Sequence, residues 1–307
     1  SAKLDFHSRA ELGADDRFKY ELAEGTSISA TVEQSKVQTI TGKVVLMGSE
    51  GGTDKVKGEV SANINVQAGK VSGSGSLKSI DQIHIRDVDS FKLYLAKDSG
   101  GDVTVVDNAV TKLSGAIQVD VHDTAGKFLE VKGDATWDRG AGGEGTTTGG
   151  GEIKVTDTRT VWTDSVFKAE IRKDSVASLS FDNTLGVKEV KGNIAVDLKK
   201  GETTWVEGNL DGKYVNEGGG NTKLDGKATA KIVHQIPVLG GDDSAFTVTL
   251  EPTEDYTAEV DFDASGFKKI GGSLKMHVTG PGADPFGYVS PSRPGSGRTG
   301  VVERWGR

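Results

Sequence analysis

Aspartates gather where four similar stretches of the sequence begin, and carboxylates grouped in this way could hold calcium. The candidates are Asp15, Asp16, Asp87, Asp89, Asp164, Asp242 and Asp243. Calcium prefers oxygen ligands, and an ion at each junction would stiffen a chain of repeats. The competing interpretation is turn chemistry, because Asp and Ser side chains stabilise turns by bonding to their own backbone. We therefore expect no resident cofactor and keep calcium as the alternative.

Other signatures of chemistry are incomplete or missing in the sequence. Asp261, Asp263, Ser265 and Gly266 match the first half of a calcium loop, but Gly272 stands where a bidentate Glu is needed. The five histidines do not have metal-ligand spacing, and there is no cysteine. Neither a nucleophile elbow nor a phosphate-binding loop occurs. We therefore expect a protein that is not an enzyme.

The chain repeats itself, and this organises every other feature. Each copy has a phenylalanine, usually followed by Lys, with an aliphatic residue four positions later: Phe18, Phe91, Phe167 and Phe246. A second marker, aliphatic-x-Gly-x-aliphatic, follows each phenylalanine after 24 to 26 residues, at Gly42, Gly115, Gly192 and Gly272. Two markers that keep this register through four copies indicate a degenerate repeat of about 75 residues. Because a glycine on the apolar side of a strand marks a close approach, we expect each phenylalanine to pack over its glycine.

Period-two alternation predicts strands throughout, and no stretch has the periodicity and caps of a helix. The predicted fold is all-β, with about four degenerate antiparallel repeats of roughly five strands each, stacked or side by side. The boundaries are 1–13 (a lone N-terminal strand), 14–88, 89–163, 164–242, a partial repeat at 243–280, and an irregular Gly/Pro-rich tail at 281–307.

The two ends are predicted to take part in assembly. Residues 3–12 resemble the strand that precedes each later phenylalanine, so the chain is out of phase with its own repeat. Exposed sheet edges are normally covered, so this strand is expected to join the last repeat of the same molecule or, preferably, the next molecule. The residues assigned to assembly are Leu4, Phe6, Phe286, Tyr288 and Trp305.

Composition excludes some classes of function. The net charge of −8 is spread along the length, without the basic patch that nucleic-acid binding requires. No run is long and apolar enough for a membrane-spanning segment. With 43 glycines and only 6% aromatic residues, thin strand-rich layers are favoured over one thick core.

Three functions fit these features. The leading hypothesis is a non-enzymatic structural protein: a subunit of an extracellular or virion-like appendage, or an adhesin stalk at a cell surface, whose partners are copies of itself. One alternative is a module that binds a surface glycan or protein, for which Trp137, Trp162, Trp205 and Trp305 could stack on sugars. The other is a carrier of an apolar ligand in a groove floored by glycines.

Overall fold

The computed structural model describes residues 1–140, 143–184, 186–239, 247–254, 257–279 and 298–306, and every regular element in these ranges is a strand. The all-β, antiparallel prediction is confirmed. The strands are β1 (Ala2–Asp5), β2 (Ala10–Ala14), β3 (Lys19–Leu22), β4 (Ser27–Glu33), β5 (Lys36–Glu50), β6 (Thr53–Asn65), β7 (Lys70–Ser79), β8 (Ile83–Val88), β9 (Phe91–Leu95), β10 (Gly100–Val106), β11 (Ala109–Asp123), β12 (Gly126–Arg139), β13 (Gly145–Val155), β14 (Arg159–Thr163), β15 (Lys168–Ile171), β16 (Val176–Asp182), β17 (Gly186–Lys200), β18 (Thr203–Gly218), β19 (Asn221–Ile232), β20 (Ile236–Leu239), β21 (Thr247–Leu250), β22 (Ala258–Asp263), β23 (Gly266–Thr279) and β24 (Arg298–Gly306).

The chain divides into two compact units, of which the first comprises residues 1–153 and 179–187. Its strands follow a recurring pairing pattern. The long strand β5 pairs on one side with two short strands, β3 and β4, and on the other side with β6. The long strand β11 pairs in the same way with β9 and β10 and with β12. Between these two groups, β7 joins β6 to β10.

The second unit comprises residues 154–178 and 188–307. Its long strand β23 pairs with β21 and β22 on one side and with β24 on the other. The long strand β17 pairs with β15 and with β18. The pattern of the first unit therefore recurs here, while the predicted repeat boundaries stay a prediction.

The two short strands that pair with the same long strand are separated by a four-residue turn. Between β3 and β4 this turn is Ala23–Thr26. Its third residue, Gly25, has a φ of 89°, which favours glycine. Because the turn interrupts the ladder, a hydroxyl completes it: Thr26 Oγ1 donates to the Ala23 carbonyl at 2.9 Å and accepts the Val45 N–H at 3.0 Å. Ser99 Oγ accepts the Gln118 N–H in the same way at 3.0 Å. The turn therefore leaves no unpaired amide at this point in the neighbouring strand.

The N-terminal region differs from the prediction of a lone strand. Two strands form here: β1 pairs with β4, and β2 pairs with β3. The break between them lies beside the turn that interrupts the partner strands, where Phe6 N–H donates to the Thr26 carbonyl. The first 14 residues are therefore part of the sheet of the first unit.

The tail also differs from the prediction of irregular structure. Residues 298–306 form β24, which pairs with β23 as β6 pairs with β5. The last proline is Pro294, so the residues of β24 can donate their amides to a ladder, and they include Val301 and Val302, which favour strands. The Gly/Pro-rich stretch at 280–297 lies outside the described residues.

Candidate functional site

Two rows of side chains cross one face of the first unit, since residues paired in an antiparallel ladder point to the same side. The first row runs over β5, β6, β7, β10, β11 and β12 through Leu46, Gly58, Leu77, Gly101, Gly115 and Ala135. The second row runs over the same strands through Val44, Val60, Gly75, Val103, Leu113 and Trp137. Both rows contain only aliphatic, aromatic and glycine residues. We call the surface that carries them the apolar face.

Four of the seven large side chains in the two rows are exposed, and Val44, Val103 and Trp137 are half-buried. Leu77 is 58% exposed, Val60 49%, Leu113 46% and Leu46 38%. Only seven hydrophobic residues in the described part of the chain are buried, and three of them, Ala23, Val45 and Met47, form one small cluster. An exposed apolar surface of this kind usually marks an interaction site.

A depression of about 560 Å³ lies in the apolar face. Its floor contains Gly75, Gly101 and Gly115, and Leu77 and Trp137 are among its lining residues. A Cβ added at Gly101 would meet only backbone atoms, the nearest being the Ser114 carbonyl oxygen at 3.0 Å. A Cβ at Gly115 would likewise meet only backbone atoms, the nearest being the Gly100 carbonyl oxygen at 3.2 Å. No side chain therefore fills the space above these two glycines.

Other glycines of the sheet are covered by aromatic rings. A Cβ at Gly149 would lie 2.6 Å from Cζ of Phe181. In the second unit, the Phe262 ring occupies the space next to Gly226. Rings over strand glycines are a known means of stabilising a sheet. The Gly101–Gly115 pair has no such ring, as is true of Gly133, Gly208 and Gly212, and it is the pair that lies in the depression.

The expected packing of the marker phenylalanines over the marker glycines is wrong for the three pairs that the structure describes. Phe18 adjoins Lys19, which pairs with Ser49, whereas Gly42 pairs with Ile28. Seven residues of β5 separate positions 49 and 42, which is about 23 Å along a strand. The constant spacing of the markers reflects equal strand lengths and not a contact.

The marker phenylalanines pack on aromatic rings near the hairpin turns instead. Phe91 lies 5.7 Å from Phe128, and Phe167 lies 5.7 Å from Trp205, between ring centroids. The Gly115 and Gly192 markers contact backbone and Ala177 rather than a phenylalanine. Phe246 lies outside the described residues, and Gly272 lies against the backbone of Thr257.

Two of the calcium candidates stabilise their own turns. Asp15 Oδ1 accepts the backbone N–H of Arg17 at 2.8 Å and of Phe18 at 2.6 Å. Asp164 Oδ1 accepts the N–H groups of Val166 and Phe167, both at 2.7 Å. These backbone hydrogen bonds hold the pKa of each carboxyl below its usual range. This is the turn chemistry that competed with calcium binding.

The other candidates within the described residues are not brought together. Asp87 bonds to His84 at 2.8 Å, and Asp89 occupies a tight turn with a φ of 53°. Asp16 lies beside Asp15 in the turn between β2 and β3, and Asp242 and Asp243 fall outside the described residues. Within the described ranges, no group of three acidic or histidine side chains has the geometry of a metal site.

In the partial calcium loop, the Asp263 carboxylate already binds neighbouring groups of the protein. Asp263 accepts the Ser265 N–H at 2.8 Å and pairs with Lys268 at 2.7 Å. These contacts, the Lys268 hydrogen bond above all, lower the pKa of Asp263 to about 2.

An ion pair with a buried carboxylate lies in the second unit. Asp197 is 9% exposed, and its Oδ1 lies 3.3 Å from Nε of Arg172. Neither atom makes a hydrogen bond. Burial raises the pKa of Asp197, while the Arg172 charge opposes that shift. On the adjacent strand, the hydrogen bond from Lys199 lowers the pKa of Glu170 against the opposing effect of burial.

The tryptophans do not share a platform in the described part of the chain. Trp205 packs among Phe167, His234 and Lys200, and Trp137 lies against Gly145. Trp162 is exposed on β14.

The structure describes only some of the predicted assembly residues. Leu4 is exposed on β1 and pairs with Ile28, and Trp305 lies in β24 opposite Gly272. Phe286 and Tyr288 fall outside the described residues. Pairing of either end with another molecule stays a prediction.

The comparisons with known proteins give no relative. No protein family, no curated protein and no solved structure matches the chain. In the part of the chain that the structure describes, no helix has the length and apolar character needed to cross a membrane.

Proposed function

We propose that this protein is a non-enzymatic structural protein whose copies associate through the apolar face of the first unit. The observation that carries the proposal is the exposure of Leu46, Val60, Leu77 and Leu113 on one side of the same strands. An antiparallel sheet with one apolar and one polar face ordinarily packs the apolar face against another layer. No second layer covers these residues within the described part of the chain.

The size of the apolar face supports association between copies. The apolar face continues on both sides of the two rows, through Gly42 and Ala62 to Ile40, Ile64 and Val71, and through Gly48 and Val56. Six strands at about 4.8 Å spacing and four to five such rows at about 6.8 Å give on the order of 800 Å². A stable protein interface buries about 800 Å² on each partner. A second copy supplies a surface of the same size and character, and two sheets pack face to face at about 10 Å. The composition suits this role, because a structural partner needs no catalytic residues.

Self-association is tested by two variants on one strand. Leu77→Glu places a charge on the apolar face, and Ser74→Glu places the same charge on the opposite face of β7, near Lys43. Light scattering of the parent should show an oligomer that Leu77→Glu abolishes and Ser74→Glu retains. A parent that stays monomeric at all concentrations, or that floats with lipid vesicles as a monomer, would overturn the proposal.

A second candidate function, the carrier of an apolar ligand, is favoured by the glycine-floored depression. Its lining is almost wholly apolar, including Val60, Leu77, Val103, Leu113 and Trp137. The depression is open to one side, whereas ligand sites usually bury most of the ligand surface. Titration with a fluorescent fatty acid distinguishes the two functions: saturation at one ligand per monomer, with no change in mass, supports the carrier.

A further inference from the structure

We infer that Leu77 of each copy occupies the glycine-floored depression of the other when two copies pack through their apolar faces. This inference rests on the proposed self-association and adds the register of the two sheets. It depends on three features of the first row: a protruding side chain, a gap without side chains and their relative position.

The protruding side chain is Leu77. It stands between Gly58 on one neighbouring strand and Gly101 on the other. Neither neighbour has a side chain. The Leu77 Cδ1 atom lies 3.6 Å from the position that a Cβ of Gly58 would take, and Leu77 is nevertheless among the more exposed leucines of the described chain. Burial of such a side chain in a pocket of a facing surface removes its apolar area from water.

The gap is the Gly101–Gly115 pair. The two residues are directly opposite each other on β10 and β11, and only backbone atoms lie near the positions that their Cβ atoms would take. Val103, Leu113 and Trp137 line the same depression. Its lining would contact an inserted leucine through carbon atoms, as a protein core does.

The position of the gap relative to Leu77 fits a two-fold axis. Leu77, Gly101 and Gly115 belong to one row, so they are level along the strand direction. The gap lies one to two strands from Leu77, which is about 5–10 Å. A two-fold axis parallel to the strands, between β7 and β11, leaves the position along the strand unchanged and reverses the strand order. One such axis therefore places both leucines over both gaps, as an isologous dimer requires.

Engineered cysteines test this register, because the chain has none of its own. When Leu77→Cys protein is mixed with Gly115→Cys protein, a bismaleimide that spans about 10 Å, the separation of two packed sheets, should join them into dimers, seen by electrophoresis. Each protein carries a single cysteine, so no cross-link can form within one copy. The matched control is Ser76→Cys with Ser114→Cys, which occupies the same strands on the opposite face.

The outcomes separate the register from the proposed function. A dimer formed by the 77/115 pair and not by the 76/114 pair supports the inference. If the parent associates but the 77/115 pair cross-links no faster than the control, the register is wrong while self-association stands. If the parent does not associate, the proposed function itself fails.

A truncation provides a second test that introduces no side chain at a glycine. Leu77→Ala should weaken association about tenfold or more, as loss of a buried interface anchor does. Leu46→Ala, in the same row but away from the depression, should weaken it less. Equal effects of the two truncations would contradict the assigned register.

Discussion

Asp197 on β17 lies beside Arg172 with Oδ1 and Nε 3.3 Å apart, and neither atom makes a hydrogen bond. The pair occupies positions that correspond, by the spacing of the repeat, to Met47 and Ala23 of the first unit. There the same positions form an apolar cluster. The same position of the strand pattern therefore buries an apolar side chain, Met47, in the first unit and a carboxylate, Asp197, in the second.

The first prediction concerns this ion pair. The double variant Arg172→Ala/Asp197→Met copies the residues of the first unit and should leave the free energy of unfolding unchanged or raise it. The single variant Arg172→Ala should lower it, because it leaves the buried carboxylate without a cation. Urea unfolding measures all three proteins, and a double variant less stable than the single one would contradict the prediction.

The second prediction is a pH dependence with opposite signs on neighbouring strands. Asp197 has a raised pKa, so its contribution to stability is present below its unfolded pKa and is lost as pH rises through the folded pKa. Glu170, its partner in the ladder, has a lowered pKa, so its contribution is present above the unfolded value and is lost as pH falls.

These signs are measured by neutral substitutions. Relative to the parent, Asp197→Asn should become more stable as pH rises from about 4 to 7. Glu170→Gln should become less stable than the parent over the same interval. Unfolding in urea at several pH values checks both, and parallel curves for the two variants would show that the assigned shifts are wrong.

The third prediction concerns the hydroxyl that completes the ladder at a turn. Thr26→Ala leaves the Val45 N–H without its acceptor, so it should lower the free energy of unfolding by about 1–3 kcal/mol. Thr26→Ser keeps the oxygen and should lie near the parent. If alanine and serine have the same effect, the hydroxyl is not what stabilises the turn.

The fourth prediction is that calcium is not needed for stability. A chelator should leave the melting temperature unchanged, since the Asp15 and Asp164 carboxylates already bind backbone amides. Asp164→Ala should lower the melting temperature through loss of its hydrogen bonds to the turn backbone. A large fall in melting temperature on chelation, reversed by added calcium, would restore the metal hypothesis.

The sequence predicted the strands well because period-two alternation is a local property. The spacing of Phe18 and Gly42 was equally regular, but its cause was not local. The spacing is the combined length of a strand, a turn and part of the next strand. That length does not determine which side chains are in contact. Similarly, the sequence predicted that Asp15 and Asp164 stabilise turns or bind calcium. Only the folded structure shows that their oxygens accept backbone N–H groups two and three residues later.

The four-residue turns could have been found from the sequence. Lys97-Asp98-Ser99 recurs as Lys173-Asp174-Ser175 at the repeat spacing, and Ser175 Oγ accepts the Ala195 N–H just as Ser99 accepts that of Gln118. The unfilled Gly101–Gly115 gap could not have been found in this way. It depends on which glycines receive an aromatic ring, and that is fixed by strand register.

The most direct test of association through the apolar face is the accessibility of adjacent residues on β7. Leu77→Cys and Ser76→Cys place a thiol on opposite sides of one strand, and a maleimide reports the exposure of each. Over about three decades of protein concentration, mass action should increasingly protect residue 77 as the protein associates. Residue 76 should react equally fast throughout. Equal, concentration-independent reactivity at both positions would contradict the account.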